Sequence, residues 1–232
     1  MSADPAIAPG AGGEESGDGR VLRARALRDA RRNQLLQAAR RVFAERGYLG
    51  ASINAIQAEA GVSRATFYLY FDAKLACFAE VLAGFVERLR AAIAPVDIRA
   101  ATPPREQLVS NLVRVLGILE EDADLTRMLL QQARGTDPEI DLALDDLDRG
   151  VLALIVGSLT TGRRLGLVRV DERDIGLHAS FVLGALKEAA SQTFLAAPGR
   201  GAPRDHEEIA SALLDFTLRG VLRDPTQLGE PG

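Results

Sequence analysis

The sequence predicts an all-α fold: a three-helix unit at the N-terminus followed by a larger helical body. Three observations carry this. Apolar residues recur at helical spacing in the long segments, as in Leu35, Leu36, Ala39, Val42 and Phe43, or Leu108, Leu112, Val115, Leu116 and Leu119. The breaks between segments hold Gly47, Gly61, Pro95 and an Ala-Thr-Pro-Pro run at 101–104, the residues that stop and restart helices. A length of 232 residues, 47% hydrophobic and 26% charged, suffices for one or two domains with buried cores.

In chain order, residues 1–22 read as a disordered tail, rich in Ala, Gly, Pro and acidic groups up to Gly19. Arg20, Arg23, Arg25 and Arg28 follow, either an arm along phosphates or into a minor groove, or a solvated helix start. The first helix is expected from about Ala26 to Arg46, with Gly47 past its end and Tyr48 packed at the corner. Ser52 to Lys74 then reads as two short helices around a tight turn at Gly61-Val62-Ser63. Ser52 and Ser63 supply N-caps, the second for a helix from Arg64 to Phe71, and Gly61 the backbone freedom. Ile53, Ile56, Val62 and Phe67 point inward by pattern. Arg64, Thr66, Tyr68 and Tyr70 face outward as donors for phosphates and base edges. Two helices joined by a Gly-containing turn form a helix-turn-helix.

The motifs here are dense. The first helix closes on Phe43-Ala44-Glu45-Arg46-Gly47-Tyr48; Ser52 opens the second helix, and Ala60-Gly61-Val62-Ser63 forms the turn. Thr66-Phe67-Tyr68-Leu69-Tyr70-Phe71 and then Lys74 follow. On these residues the segment from about Arg28 to Val81 resembles the N-terminal domain of the TetR family of bacterial repressors. The resemblance implies phosphate contacts at Ser52, Thr66, Tyr68 and Lys74, with Tyr70 near the backbone, and base readout at Ser63, Arg64 and Ala65. It implies a helix-turn-helix DNA-binding domain over residues 23–72, a helical ligand-binding and dimerisation domain over 73–223, and a flexible tail over 224–232. It also implies a homodimer on a palindromic operator, released when a small-molecule effector moves the helix that joins head to body.

That joining helix spans about Ala73 to Ala94 by pattern. Further helices are expected near 105–121, 124–134, 138–165, 174–196 and 207–223. The last two carry Phe181, Ala185, Ala189, Leu213, Phe216, Thr217 and Gly220, either an interface with a second copy or intrachain core. Candidate ligand contacts are Phe85, Leu116, Met128, Gln131, Ile155, His178 and Phe181, apolar walls with a few polar groups. With no Trp, and all three Tyr in the N-terminal part, an apolar or acyl-like effector fits better than a cationic one.

Charge supports the division. Residues 20–90 hold 13 Lys and Arg against 6 Asp and Glu, whereas residues 91–232 hold 15 against 22. A basic module on an acidic body presents one end to a polyanion. Catalysis finds little support: His178 and His206 are the only histidines and Cys77 the only cysteine, at no metal or nucleophile spacing. No phosphate-cradling glycine motif occurs, so no cofactor is expected. The acids between Asp137 and Asp148 read as a solvated face, and Cys77 as a small buried apolar residue. A single cysteine and no membrane-length apolar run place the chain in the cytoplasm, at the nucleoid. The competing reading is an architectural or division-associated DNA-binding protein with no small-molecule effector.

Overall fold

A computed structural model describes residues 17–131, 138–194 and 205–221, without the side chains at 17, 18, 131, 194 and 218–221. The described residues form helices and no strand. These are α1 (Gly17–Gly50), α2 (Ile53–Ala60), α3 (Arg64–Tyr68), α4 (Lys74–Ala92) and α5 (Pro104–Glu121). α6 (Ala123–Gln131), α7 (Pro138–Arg164), α8 (Ile175–Phe194) and α9 (His206–Val221) complete the body, with a 3-10 turn at Glu172–Asp174 before α8. The all-α expectation holds.

Two boundaries differ. α1 begins at Gly17 rather than near Ala26, so residues 17–22 of the expected tail are helical. From Arg20 to Ala30 the chain is mostly Arg, Ala and Leu, strong helix formers without a breaker, and the helix propagates through them although Val21, Leu22 and Leu27 stay exposed. The helix expected from Arg64 to Phe71 ends at Tyr68, and Tyr70 lies in the following turn, half-buried against the core. Residues 1–16 and 224–232, expected as tails, lie outside the described residues.

The N-terminal unit is held by rings. Phe43, Phe67, Phe71 and Phe78 are fully buried. Phe78 meets Phe43 edge-on at 4.9 Å between centroids and Tyr48 at 4.9 Å. Aromatic pairs in this geometry add about 0.5–1.5 kcal/mol each beyond burial. α4 carries that core into the body: Cys77 and Phe78 belong to the head, while Phe85, Val86 and Leu89 continue one buried face toward α5 and α7. α1 also packs on α6, so head and body touch at two places.

The body is closed by few polar ties. Asn111, buried on α5, accepts from the Ala94 N–H and donates to the Ala94 carbonyl, both at 2.9 Å, which clasps the chain leaving α4. Arg105 of α5 reaches Asp215 of α9 at 2.7 Å. Gly166, with φ of 71°, lets α7 end and turn back.

Candidate nucleic-acid interface and ligand cavity

The helix-turn-helix is assembled by local hydrogen bonds. Ser52 Oγ accepts from the Ala55 N–H at 3.1 Å and opens α2. At the other end Gly61 takes φ 62°, ψ 37°, where a side chain would be strained. Its N–H donates to the Ala58 carbonyl at 3.2 Å, and that of Val62 to Gln57 at 3.0 Å, the paired bonds of a Schellman end. Ser63 Oγ accepts from the Thr66 N–H at 3.1 Å and lies 2.9 Å from Thr66 Oγ1. Gln34 of α1 donates to the Ala60 carbonyl at 2.7 Å, and Arg41 meets Glu59 at 2.6 Å, so α1 braces the turn.

α3 presents Ser63, Arg64, Ala65 and Tyr68 exposed, with Thr66 half-buried beside them and Phe67 wholly buried beneath. Arg64 and Tyr68 stand one turn apart. The Arg64 guanidinium lies 5.6 Å from the Tyr68 ring centre and 3.5 Å from its hydroxyl, which holds the cation on the outer face. On α1, Arg20, Arg23, Arg25, Arg28 and Arg31 are all exposed. A surface of this composition suits a phosphate backbone, with one bidentate donor available for a guanine edge.

Lys74, expected as a phosphate contact, is bound within the protein in this structure. Its Nζ donates to the Tyr48 carbonyl at 2.8 Å and the Ala51 carbonyl at 2.9 Å, 4.1 Å from the centre of the Tyr48 ring. Those carbonyls belong to the chain between Gly47 and Ser52, so Lys74 fastens the α1–α2 corner to the start of α4 and acts in this structure as a positioning group.

Between head and body lies a charged clasp. Asp122, at the end of α5, is buried and pairs with both Arg40 of α1 and Arg88 of α4. Arg88 also reaches Glu121 at 2.7 Å, and Arg32 of α1 pairs with Glu80 of α4. Burial, and next the nearby Arg88 charge, lower the pKa of the Arg40 guanidinium from its ordinary value. Arg40, Glu80, Arg88 and Asp122 border a cleft of about 300 Å³ between α1, α4 and α6.

A second cavity, about 390 Å³, opens within the body. Phe85 and Leu89 of α4 form one wall, Leu129 and Leu130 of α6 another. α7 contributes Leu144, Leu147, Asp148 and Val151, and α8 contributes Leu183, Leu186, Lys187 and Ala190. Among the described residues, Phe85 is the one shared by the linings of this cavity and the cleft. The volume falls within the range of small-molecule sites, and the lining is largely apolar.

With this geometry in place, comparison with known proteins is decisive. A model of bacterial regulatory proteins of the tetR family matches residues 35–81, the segment that builds the helix-turn-helix. Residues 35–81 carry the DNA-binding domain of the tetR family of transcriptional regulators. It is similar to the fatty acid metabolism regulator protein of Bacillus subtilis, 26% identical over 162 residues, covering 68% of this chain and 80% of that one. It is 32% identical over 130 residues to the transcriptional activator FasR of Mycolicibacterium smegmatis, covering 56% of each. The crystal structure of the regulator FadR from Bacillus subtilis in complex with stearoyl-CoA shares the fold, with a TM-score of 0.63 at 24% identity over 82% of this chain and 98% of that one. These relatives are transcriptional regulators rather than enzymes.

Of the expected DNA set, Ser52, Ser63, Arg64, Ala65 and Tyr68 are exposed, whereas Thr66, Tyr70 and Lys74 are half-buried. The expected ligand set does not converge. Phe85 lines the cavity. Leu116 is fully buried core, and Met128 is buried outside the cavity lining. Ile155 sits one turn beyond Val151, past the lining. His178 Nδ1 lies 2.9 Å from the Asp174 carbonyl at the start of α8, and Phe181 is 62% exposed. The Gln131 side chain lies outside the described residues. The lining residues not expected include Leu144, Leu147 and Val151 of α7, and Leu183, Leu186, Lys187 and Ala190 of α8. Their helical spacing was visible, but it marks a buried face without saying whether that face meets protein or empty space. The one distinctive signal was Lys187, a lysine in a chain that otherwise uses lysine only at 74. Among the described residues no group of His, Cys, Asp or Glu fits a metal ion, and no helix is long and apolar enough to cross a membrane.

Proposed function

We propose that the protein is a homodimeric repressor that holds a palindromic operator through α2 and α3 and is released by a small effector with an apolar acyl chain. The observation that carries the ligand half is the cavity itself, placed against Phe85 on the helix that joins body to head. An effector filling it presses on α4 at Phe85, about one turn before Arg88, the α4 partner of Asp122 in the clasp. Release requires the effector to bind the released arrangement better than the DNA-bound one; equal affinity for both shifts nothing. Fatty acid regulators among the relatives, one crystallised with stearoyl-CoA, support an acyl effector. A body with such a cavity weighs against an architectural protein that needs no ligand.

Dimerisation is supported by Phe181 of α8 and Phe216 of α9, 62% and 72% exposed, which leave an apolar surface on the two carboxyl-terminal helices. Paired heads then meet half-sites about one DNA turn apart. Work of this kind is done in the cytoplasm, at the nucleoid.

The test is binding of the protein to DNA flanking its own gene, against a scrambled fragment, over a salt series. A specific site should exceed the scramble, and Arg64→Ala should weaken it by about 1–3 kcal/mol while leaving the scramble nearly unchanged. Fatty acyl derivatives should then release the DNA, each added methylene improving potency by about 0.8 kcal/mol until the cavity is full. Equal, steeply salt-dependent binding to both fragments would mean backbone affinity alone.

A further inference from the structure

The body cavity has one polar feature that its apolar walls do not explain. Among its described lining residues, only Thr126, Asp148 and Lys187 carry polar side chains. Thr126 is occupied, its Oγ1 donating to the Leu119 carbonyl at 3.0 Å. Asp148 of α7 and Lys187 of α8 face each other, with Nζ 2.7 Å from each carboxylate oxygen. Their side chains are 29% and 43% exposed, so the pair stands where the cavity meets solvent rather than in its depth.

We propose that this pair selects the chemical form of the effector's head, admitting a neutral carbonyl derivative of the acyl chain, an ester or thioester, and rejecting the free carboxylate. The proposal rests on the acyl-effector reading above. An ammonium carries three donors, so a carbonyl oxygen can accept from Lys187 while Asp148 keeps its own contact. An ester or thioester carbonyl does so without adding charge. A carboxylate gains the same donor but arrives beside Asp148, whose like charge cancels much of the attraction to Lys187. It must also give up its hydration at the edge of an apolar cavity. A lone lysine would favour the acid; a lysine already neutralised by aspartate removes that advantage. Rejection by an unfavourable contact is how one ligand is separated from a near-isostere.

The experiment is displacement of the neutral dye Nile red from the full-length protein by hexadecanoate and by methyl hexadecanoate at neutral pH. For the native protein the ester should compete at least about tenfold better than the acid, a difference of about 1.4 kcal/mol. Asp148→Asn should close that gap by strengthening the acid, because Lys187 is then unopposed. Lys187→Met should weaken the ester several-fold and leave the acid rejected. The exchanged pair, Asp148→Lys with Lys187→Asp, keeps the site neutral and should retain the preference for ester, which separates charge selection from damage to the fold. Equal competition by acid and ester in the native protein, or an unchanged ratio in Asp148→Asn, would overturn the proposal. Failure of both ligands to displace the dye from the native protein and from Asp148→Asn would overturn the acyl reading itself, and the proposal with it.

Discussion

The head and the body of this protein are built on opposite plans. In the head, each turn is closed by its own hydrogen bonds, at Ser52, Gly61 and Ser63, and the core beneath is a cluster of aromatic rings. In the body, long helices rest on leucine, valine and alanine, and they leave a cavity of about 390 Å³. The comparison teaches that a surface meeting DNA must hold its donors in one arrangement before contact, whereas a body that takes a ligand must keep space that only a ligand fills. Close packing stabilises the first, and incomplete packing makes room in the second.

The largest test of that contrast is a pair of core truncations. Phe43→Ala should destabilise the protein by about 3–5 kcal/mol, whereas Leu147→Ala, bordering existing empty space, should fall near the low end for leucine, about 2 kcal/mol. Urea denaturation measures both, and equal losses would remove the contrast. Next is the clasp where the two plans meet. Asp122→Asn leaves Arg40 and Arg88 without their shared carboxylate. Because both arginine side chains are about one-third exposed, the expected loss is about 2 kcal/mol rather than that of a fully buried pair. A change below about 0.5 kcal/mol would mean that water already serves both guanidiniums.

A smaller effect, with opposite signs, comes from one substitution made in each region. Gly61→Ala forces a side chain into φ 62° and should cost about 1–2 kcal/mol. Gly117→Ala on helix α5, where an added Cβ meets nothing within 4 Å, should instead stabilise by about 0.5–1 kcal/mol. Thermal melts of the two variants should move in opposite directions.

The smallest effect at neutral pH concerns Cys77. Burial, and then the Glu80 charge, push its thiol up to about 12. The folded pKa lies above the unfolded value near 9, so the contribution to stability is whole below that value and is lost as pH rises toward 12. Native protein should therefore resist thiol reagents at mildly alkaline pH and react only as it unfolds. Cys77→Ala should flatten the alkaline fall in stability; rapid reaction of the folded protein would contradict the burial.

How far each region was legible follows from the range of its interactions. Ser52, Gly61 and Ser63 act on neighbours three to five residues away, so their spacing alone announced the caps, the turn and the exposed face of α3. The start of α1 was misjudged because composition that looked like tail through Gly19 gave way to strong helix formers. The partners of Lys74, the carbonyls of Tyr48 and Ala51, were not legible because they are displayed only once α4 folds back against that corner. The sequence by itself determined the all-α class, the helix-turn-helix and the basic head on an acidic body, since these rest on local spacing and composition. Tertiary structure alone decided which leucines face a cavity, that Asp148 meets Lys187 across 39 positions, and that Asp122 joins Arg40 to Arg88. Those outcomes depend on how helices cross, and a periodic apolar stripe does not encode the partner it will meet.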